Sequence, residues 1–194
     1  MNNMDRPPSA IFWDRDGTLI EDRGHLSDLD DVVFYPCTIN ALCRLHDHFL
    51  FFIVTHQPGV AEGTINRDDV DRINAHVVSQ LAEAGIVISA VYVCPHRRAD
   101  ACECIKPNPY FLRKAAEEFL VSLCDSFVVG DHPHDVELAE QVGAQGVYVC
   151  TGHGLKHLDE LRGRQVVVSD IQAAADWILS RQPRTTLGGP CNGP

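Results

Sequence analysis

The stretch FWDRDGTLI, residues 12–20, decides how this chain is read. An apolar run ends on two aspartates, Asp14 and Asp16, with Gly17 behind them. In an extended segment, residues i and i+2 project to the same side, so both carboxylates face one small volume. Gly17 lets the backbone turn tightly there and expose its N–H groups to that volume. Alone, the pattern also fits a plain acidic turn at a strand end. A fold gains nothing from two repelling carboxylates, so the preferred reading is a cation between them with a phosphate on its far side.

On either side of this stretch, short β-like runs alternate with longer helical patterns. AIFW (10–13) is the first strand, and FLFFIVT (49–55) is a near-continuous apolar run of the kind buried on both faces. SAVYVC (89–94), SFVVG (126–130), GVYVC (146–150) and QVVVS (165–169) follow. Helical spacing places helices at 38–48, 67–84, 108–120, 134–142 and 170–180. This alternation predicts an α/β fold, a three-layer parallel sheet with helices on both faces. One domain over 1–182 accounts for the pattern. The segment 183–194 has Pro, Gly and Thr but few apolar anchors, and is expected to be disordered. No insertion of domain size is seen, so no large cap domain is expected.

Composition narrows the partners. The chain has 194 residues and a net charge of −11, with no Lys/Arg cluster, which argues against nucleic acid and leaves a small phosphorylated metabolite. No apolar run is long enough to cross a membrane. The opening MNNMDRPPSA lacks the apolar core of a secretory signal, which makes the cytoplasm the expected location.

In parallel sheets ligands sit beyond the carboxyl ends of the strands. Asp14 and Asp16, then Thr55, then Cys94 and its loop, then Asp131 stand there. Asp131 and Asp135 in VVGDHPHD repeat the acidic pattern, although Asp135 also suits the first turn of a helix. Asp14, Asp16 and Asp131 supply hard oxygens suited to Mg2+. Thr55 and Lys106, after two other strands, complete a constellation for phosphoryl transfer. Beside it, His132 and His134 are read as solvated loop residues or weak contacts behind the ligands, not as ligands themselves, and His25 and His153 as walls of the mouth.

CPHRRADACEC (94–104) gathers Cys94, His96, Cys102 and Cys104 within eleven residues. Three thiolates and an imidazole make a tetrahedral set for Zn2+ with no open position, so the site reads as structural and as rigidifying the loop that carries Lys106. Incidental cysteines, or a redox pair Cys102/Cys104, are the alternatives.

The ordered set DRDGT, a Thr at an apolar strand end, a Lys before a helix and GDxxxD resembles the haloacid dehalogenase superfamily of phosphohydrolases over about residues 10–160. The resemblance implies a Rossmann-like HAD fold and a monomer. It implies Asp14 as the nucleophile that forms an aspartyl-phosphate, and Asp16 as the acid and then the base. Thr55 and Lys106 would steady the phosphoryl oxygens. Magnesium would bind Asp14, the Asp16 carbonyl and Asp131, supported by Asp135. The zinc loop resembles a small-cap subgroup, the heptose-1,7-bisphosphate 7-phosphatases and the histidinol-phosphate phosphatases. THQPGVAEG (55–63) resembles the heptose enzymes, and the short zinc loop the histidinol enzymes. Ile105 and His56 depart from the usual Arg and Asn, and Glu62 from a usual Arg. With His25 and Gln57, Ile105 and His56 are the candidate substrate contacts, while Arg97 or Arg98 is a candidate replacement for the missing arginine. A zinc-stabilised protein without catalysis is the reading from another class.

Overall fold

Apolar strands alternating with amphipathic helices bury both sheet faces when the helices form a layer on each side. The computed structural model describes residues 7–163 and 165–181, and it has this form. The strands are β1 (Ala10–Trp13), β2 (Leu50–His56), β3 (Ile88–Cys94), β4 (Phe127–Gly130), β5 (Gln145–Val149) and β6 (Val166–Val168). They pair in the order β3-β2-β1-β4-β5-β6, and every pairing is parallel. The expected tail at 183–194 lies outside the described residues.

The two-residue period of β1 divides the core. Ile11 and Trp13 pack on one face with Ile53, Val129 and Val149. That face is covered by α1 (Thr38–Cys43), α3 (Arg67–Glu83) and α6 (Ile171–Arg181), which contribute Leu42, Ile73, Val77, Leu81, Ala174 and Ile178. Ala10 and Phe12 point the other way, to Phe52, Val128, Leu112 and Leu138. That second face is covered by α4 (Tyr110–Phe119) and α5 (Pro133–Glu140). A one-turn helix, α2 (Gly59–Glu62), follows β2.

Local chemistry sets the boundaries. α3 opens on a capping box: the Asn66 side chain accepts from the Asp69 N–H at 2.8 Å, and the Asp69 carboxylate accepts from the Asn66 N–H at 3.3 Å. The helix expected over 38–48 stops at Cys43. Beyond it the chain tightens into turns, with Leu45 N–H on the Leu42 carbonyl and His48 N–H on that of Leu45, both at 3.0 Å. His46 Nδ1 lies 3.0 Å from the Cys43 carbonyl, so a side chain satisfies a group that a longer helix would have satisfied with backbone.

Strand order reverses at β1. The chain builds one side through β2 and β3, then returns to β4 on the other side of β1. This leaves a crevice at the carboxyl ends of β1 and β4. Between β1 and α1, residues 14–37 form turns, a short 3-10 helix (Leu29–Asp31) and a bridge between Ile20 and Phe34. Among the described residues no inserted domain covers the crevice, and no helix is long and apolar enough to cross a membrane.

Candidate active site

Trp13 pairs with Val129, and the Asp14 N–H donates to the Val129 carbonyl at 2.9 Å. The register therefore sets Asp14 and Asp131 at the tips of adjacent strands. Lys106 reaches in from the loop after β3: its Nζ donates to Asp14 Oδ1 at 2.6 Å and to Asp135 Oδ1 at 2.7 Å. Asp14, Asp16, Thr55, Lys106, Asp131 and Asp135 all line one cleft of about 180 Å³. A wider groove of about 610 Å³ runs along α4 past Glu103, Tyr110 and Arg113, away from every one of these groups, so size does not locate the chemistry.

Two glycines make the cleft possible. Gly17 has φ 87°, and a Cβ there would run into the Asp131 carboxylate. A Cβ on Gly130 would overlap the Asp135 carboxyl.

The charges on the cleft floor do not balance. Asp14, Asp131 and Asp135 surround a single ammonium, Lys106, which leaves an excess of two negative charges. Burial raises the Asp14 carboxyl well above the usual range against the pull of Lys106, and Asp135 and Asp131 add to the rise. Burial and then the charge of Asp135 push Asp131 up to about 7. Burial opposes the charge on Lys106, yet Asp135 and Asp14 hold it above the ordinary lysine value. The ammonium keeps its proton, and the excess charge falls on the carboxylates. Hard oxygens with two surplus negative charges fit a small divalent cation such as magnesium.

Asp16 faces a different environment. The buried Arg15 holds it through Nε to Oδ2 at 3.0 Å and Nη2 to Oδ1 at 3.1 Å. Arg15 is itself fixed by Asn74 of α3, with Nη1 donating to Oδ1 at 2.7 Å. Thr55 Oγ1 at 3.3 Å and Gln57 Nε2 at 2.7 Å complete the cage on Asp16 Oδ2. Sequence reasoning missed Arg15 and Asn74. The available signal was a polar residue on the buried stripe of α3, where Asn74 sits among Val70, Ile73, Val77 and Leu81.

Of the four substrate-contact candidates, three lie off the cleft lining. Gln57 is buried and donates to Thr55 as well as Asp16, which makes it a positioning group. Ile105 is 6% exposed and does not line the cleft. His25 lies against Gly59 and faces Glu62, 3.6 Å from its carboxylate. Only His56 lines the cleft. Its Nε2 lies 2.8 Å from the His96 carbonyl, and burial, with Arg98 and Lys106 nearby, keeps its imidazole below the usual histidine value.

His153 forms part of the mouth, as expected, and its N–H donates to Asp131 Oδ2 at 2.7 Å. His132 is half-buried at the start of α5 and lines the cleft. Its Nδ1 accepts from the His134 N–H at 3.3 Å as the N-cap of α5, and burial followed by the charge of His134 lowers it to about 4. Of the two arginines in the cysteine loop, Arg98 lines the cleft and Arg97 does not.

Cys94, His96, Cys102 and Cys104 offer ligand atoms that all lie within 4.8 Å of one another. The closest approaches are 3.6 Å for Cys94–Cys102, 3.5 Å for Cys102–Cys104 and 3.3 Å for Cys104 to His96 Nδ1. A zinc tetrahedron with bonds of about 2.3 Å has edges of about 3.8 Å, so the four groups fit that ion. Burial raises the Cys94 thiol. Burial works against ionisation of Cys102 too, but hydrogen bonds from Cys104 and Cys94 outweigh it and lower that thiol.

Known proteins resemble this chain over most of its length. The family described as HAD-hydrolase-like matches residues 103–174. The D-glycero-beta-D-manno-heptose-1,7-bisphosphate 7-phosphatase of Yersinia pestis is 31% identical over 187 residues, 91% of this chain and 93% of that one. The histidine biosynthesis bifunctional protein HisB of Actinobacillus pleuropneumoniae is 33% identical over 141 residues, 71% of this chain but 39% of its own length. Among solved structures, the D,D-heptose 1,7-bisphosphate phosphatase of B. bronchiseptica, complexed with magnesium and phosphate, superposes with a TM-score of 0.83 at 30% identity, covering 90% of this chain and 99% of that one. The chain therefore belongs to the haloacid dehalogenase-like phosphatases, in the family of the heptose-1,7-bisphosphate 7-phosphatases.

Proposed function

We propose that this phosphatase removes a phosphoryl group from a small phosphorylated sugar, with the 7-phosphate of D-glycero-D-manno-heptose 1,7-bisphosphate as the substrate its relatives' names indicate. The observation that carries the chemistry is Lys106 bridging Asp14 and Asp135 at 2.6 and 2.7 Å at the floor of an open cleft. That lysine fixes one oxygen of Asp14 and leaves the other free to attack phosphorus. The phosphorus–oxygen bond of the ester breaks as the Asp14 oxygen bonds to phosphorus. The leaving oxygen takes a proton from Asp16. Water then attacks the aspartyl-phosphate, Asp16 takes the proton of that water, and inorganic phosphate departs with Asp14 regenerated. Lys106 and the Thr55 hydroxyl steady the phosphoryl oxygens. Arg15, Thr55 and Gln57 fix the Asp16 carboxylate in place for this exchange.

Magnesium would be held by Asp14, the Asp16 carbonyl and Asp131, with Asp135 behind them. Once bound, it offsets the repulsion between a carboxylate nucleophile and an anionic ester. Zinc would be held by Cys94, His96, Cys102 and Cys104. Since protein fills all four positions, its contribution is to the shape of the loop that delivers Lys106.

One feature favours a second reading: the zinc loop is as short as in the histidinol phosphatases, and the bifunctional histidine biosynthesis protein is a relative. The deciding experiment is phosphate release with magnesium across both anomers of heptose 1,7-bisphosphate and histidinol phosphate, with Asp14→Asn as the blank. Preference for a heptose bisphosphate is expected. Preference for histidinol phosphate would replace the substrate, and no release from any phosphosugar would sink the reading.

A further inference from the structure

Arg97 and Arg98 adjoin in sequence and differ in what they touch. Arg97 closes a turn: its N–H donates to Asp100 Oδ2 at 2.9 Å and its Nη2 to Oδ1 at 3.0 Å. Arg98 lines the catalytic cleft, and its Nη1 makes one hydrogen bond, to the Lys106 carbonyl at 3.4 Å. Among the described residues no carboxylate pairs with it, in contrast to Arg15, Arg23, Arg44, Arg67, Arg72 and Arg97; Arg113, Arg162 and Arg181 also lack an ion pair, but none of those three lines the cleft. In a chain with a net charge of −11, an arginine without an acid beside a reaction centre is a place kept for an anion.

The anion is not the reacting phosphoryl group alone. Lys106, held between Asp14 and Asp135, already serves the reacting phosphoryl group in the proposed mechanism, and Arg98 is the other permanent cation lining the cleft. The cleft, about 180 Å³, is below the size of ordinary small-molecule sites, so the rest of a sugar lies against its mouth. His56 and His132 line the same cleft. The His132 Nδ1 is occupied by the His134 N–H, which leaves Nε2–H as the donor of a neutral imidazole. The His56 Nε2 is occupied by the His96 carbonyl, which leaves Nδ1 as an acceptor suited to a hydroxyl. Ile105, next to the lysine, is buried and apolar and reads no charge.

We propose that Arg98 is a specificity-determining residue that binds a second phosphate, on the leaving-group side of the substrate, and so sets a preference for bisphosphorylated over monophosphorylated sugars. The proposal rests on the phosphatase reading above and deepens it. Its measure is the ratio of kcat/KM for a sugar bisphosphate to that for the matched monophosphate, taken with wild type, Arg98→Gln and Arg98→Lys. Zinc content and thermal midpoint serve as checks on folding. Loss of a charge-assisted hydrogen bond predicts that Arg98→Gln lowers the ratio by about tenfold to a hundredfold, chiefly through KM of the bisphosphate. Arg98→Lys keeps part of the preference, because it keeps the charge and loses the fork. A ratio left in place by Arg98→Gln overturns the assignment, as does an equal loss on both substrates. If the wild type turns over neither heptose 1,7-bisphosphate nor heptose 7-phosphate, the proposed substrate fails. The Arg98 assignment is then decided on fructose 1,6-bisphosphate against fructose 6-phosphate, and inactivity there as well overturns both.

Discussion

The cysteine cluster and the aspartate cleft both feed Lys106, which stands two residues after Cys104 and touches Asp14, yet they use their ligands in opposite ways. Four soft groups of the cluster converge on one point, so an ion there is enclosed by protein. The cleft turns one of its five carboxylates aside, with Asp16 caged by Arg15, Thr55 and Gln57. The remaining carboxylates outnumber the one ammonium among them. A full set of ligands gives rigidity. A deficient set, with charge left over, gives a place where a cation and an anionic substrate complete the arrangement together. The lesson is that the same residue types at similar spacing differ in role according to how many of their atoms the protein itself satisfies.

That contrast can be broken at several points. In the proposed mechanism Asp14→Asn removes the attacking oxygen, and phosphate release should fall on the order of 10⁴-fold while metal content of the cysteine cluster stays at the wild-type value; residual turnover near wild type would show another nucleophile. On the proposal that the cluster holds zinc, Cys102→Ser should empty that position, read by metal analysis, and lower kcat by about a hundredfold, because Lys106 would lose its support and small misplacements at a reacting centre are costly. Full activity without bound zinc would separate the two regions.

Arg15→Met tests the cage rather than the floor. Loss of its hydrogen bonds to Asp16 should lower kcat by about tenfold with little change in KM, and should shift the limb of the pH–rate profile that Asp16 governs. An unchanged profile would make Arg15 a packing residue only.

Proton competition sharpens the same comparison. Burial and the charge of Asp135 push Asp131 up to about 7 in the absence of metal, so magnesium held there as proposed would have to displace its proton at lower pH. Apparent magnesium affinity should therefore rise as pH increases through about 7 and level off above it, measured by titration calorimetry of the apo-protein. A flat dependence would place the metal on other groups.

The smallest effect belongs to a region that serves neither cluster. Asn66→Ala deletes half of the α3 capping box and should cost about 1 kcal/mol in chemical denaturation, with phosphate release unaffected.

Much of this site was legible in the one-dimensional pattern. Apolar runs separated by helical periods call for a parallel sheet, and such a sheet brings every strand's carboxyl end to one edge. Asp14, Thr55, Lys106 and Asp131 were therefore placed together without any knowledge of distances. The cysteine cluster was legible for a more local reason: eleven residues of chain cannot keep four ligand groups far apart. What the pattern did not carry was direction within loops and contact across layers. Ile105 and His25 lie in the right segments but off the cleft lining, and Gln57 is spent on Asp16 and Thr55, because side-chain direction follows from how the loops after β1, β2 and β3 pack on one another. Arg15 and Asn74 meet across 59 positions, a pairing set by the height at which α3 crosses the sheet. The choice between Arg97 and Arg98 was likewise made by a single turn, which ties one to Asp100 and leaves the other at the cleft. Periodicity determined which residues share an edge, since that depends only on the repeat of strand and helix. Which atoms of those residues remain unsatisfied, and hence available for chemistry, was decided by the tertiary structure, since only closure of the fold assigns each donor its acceptor.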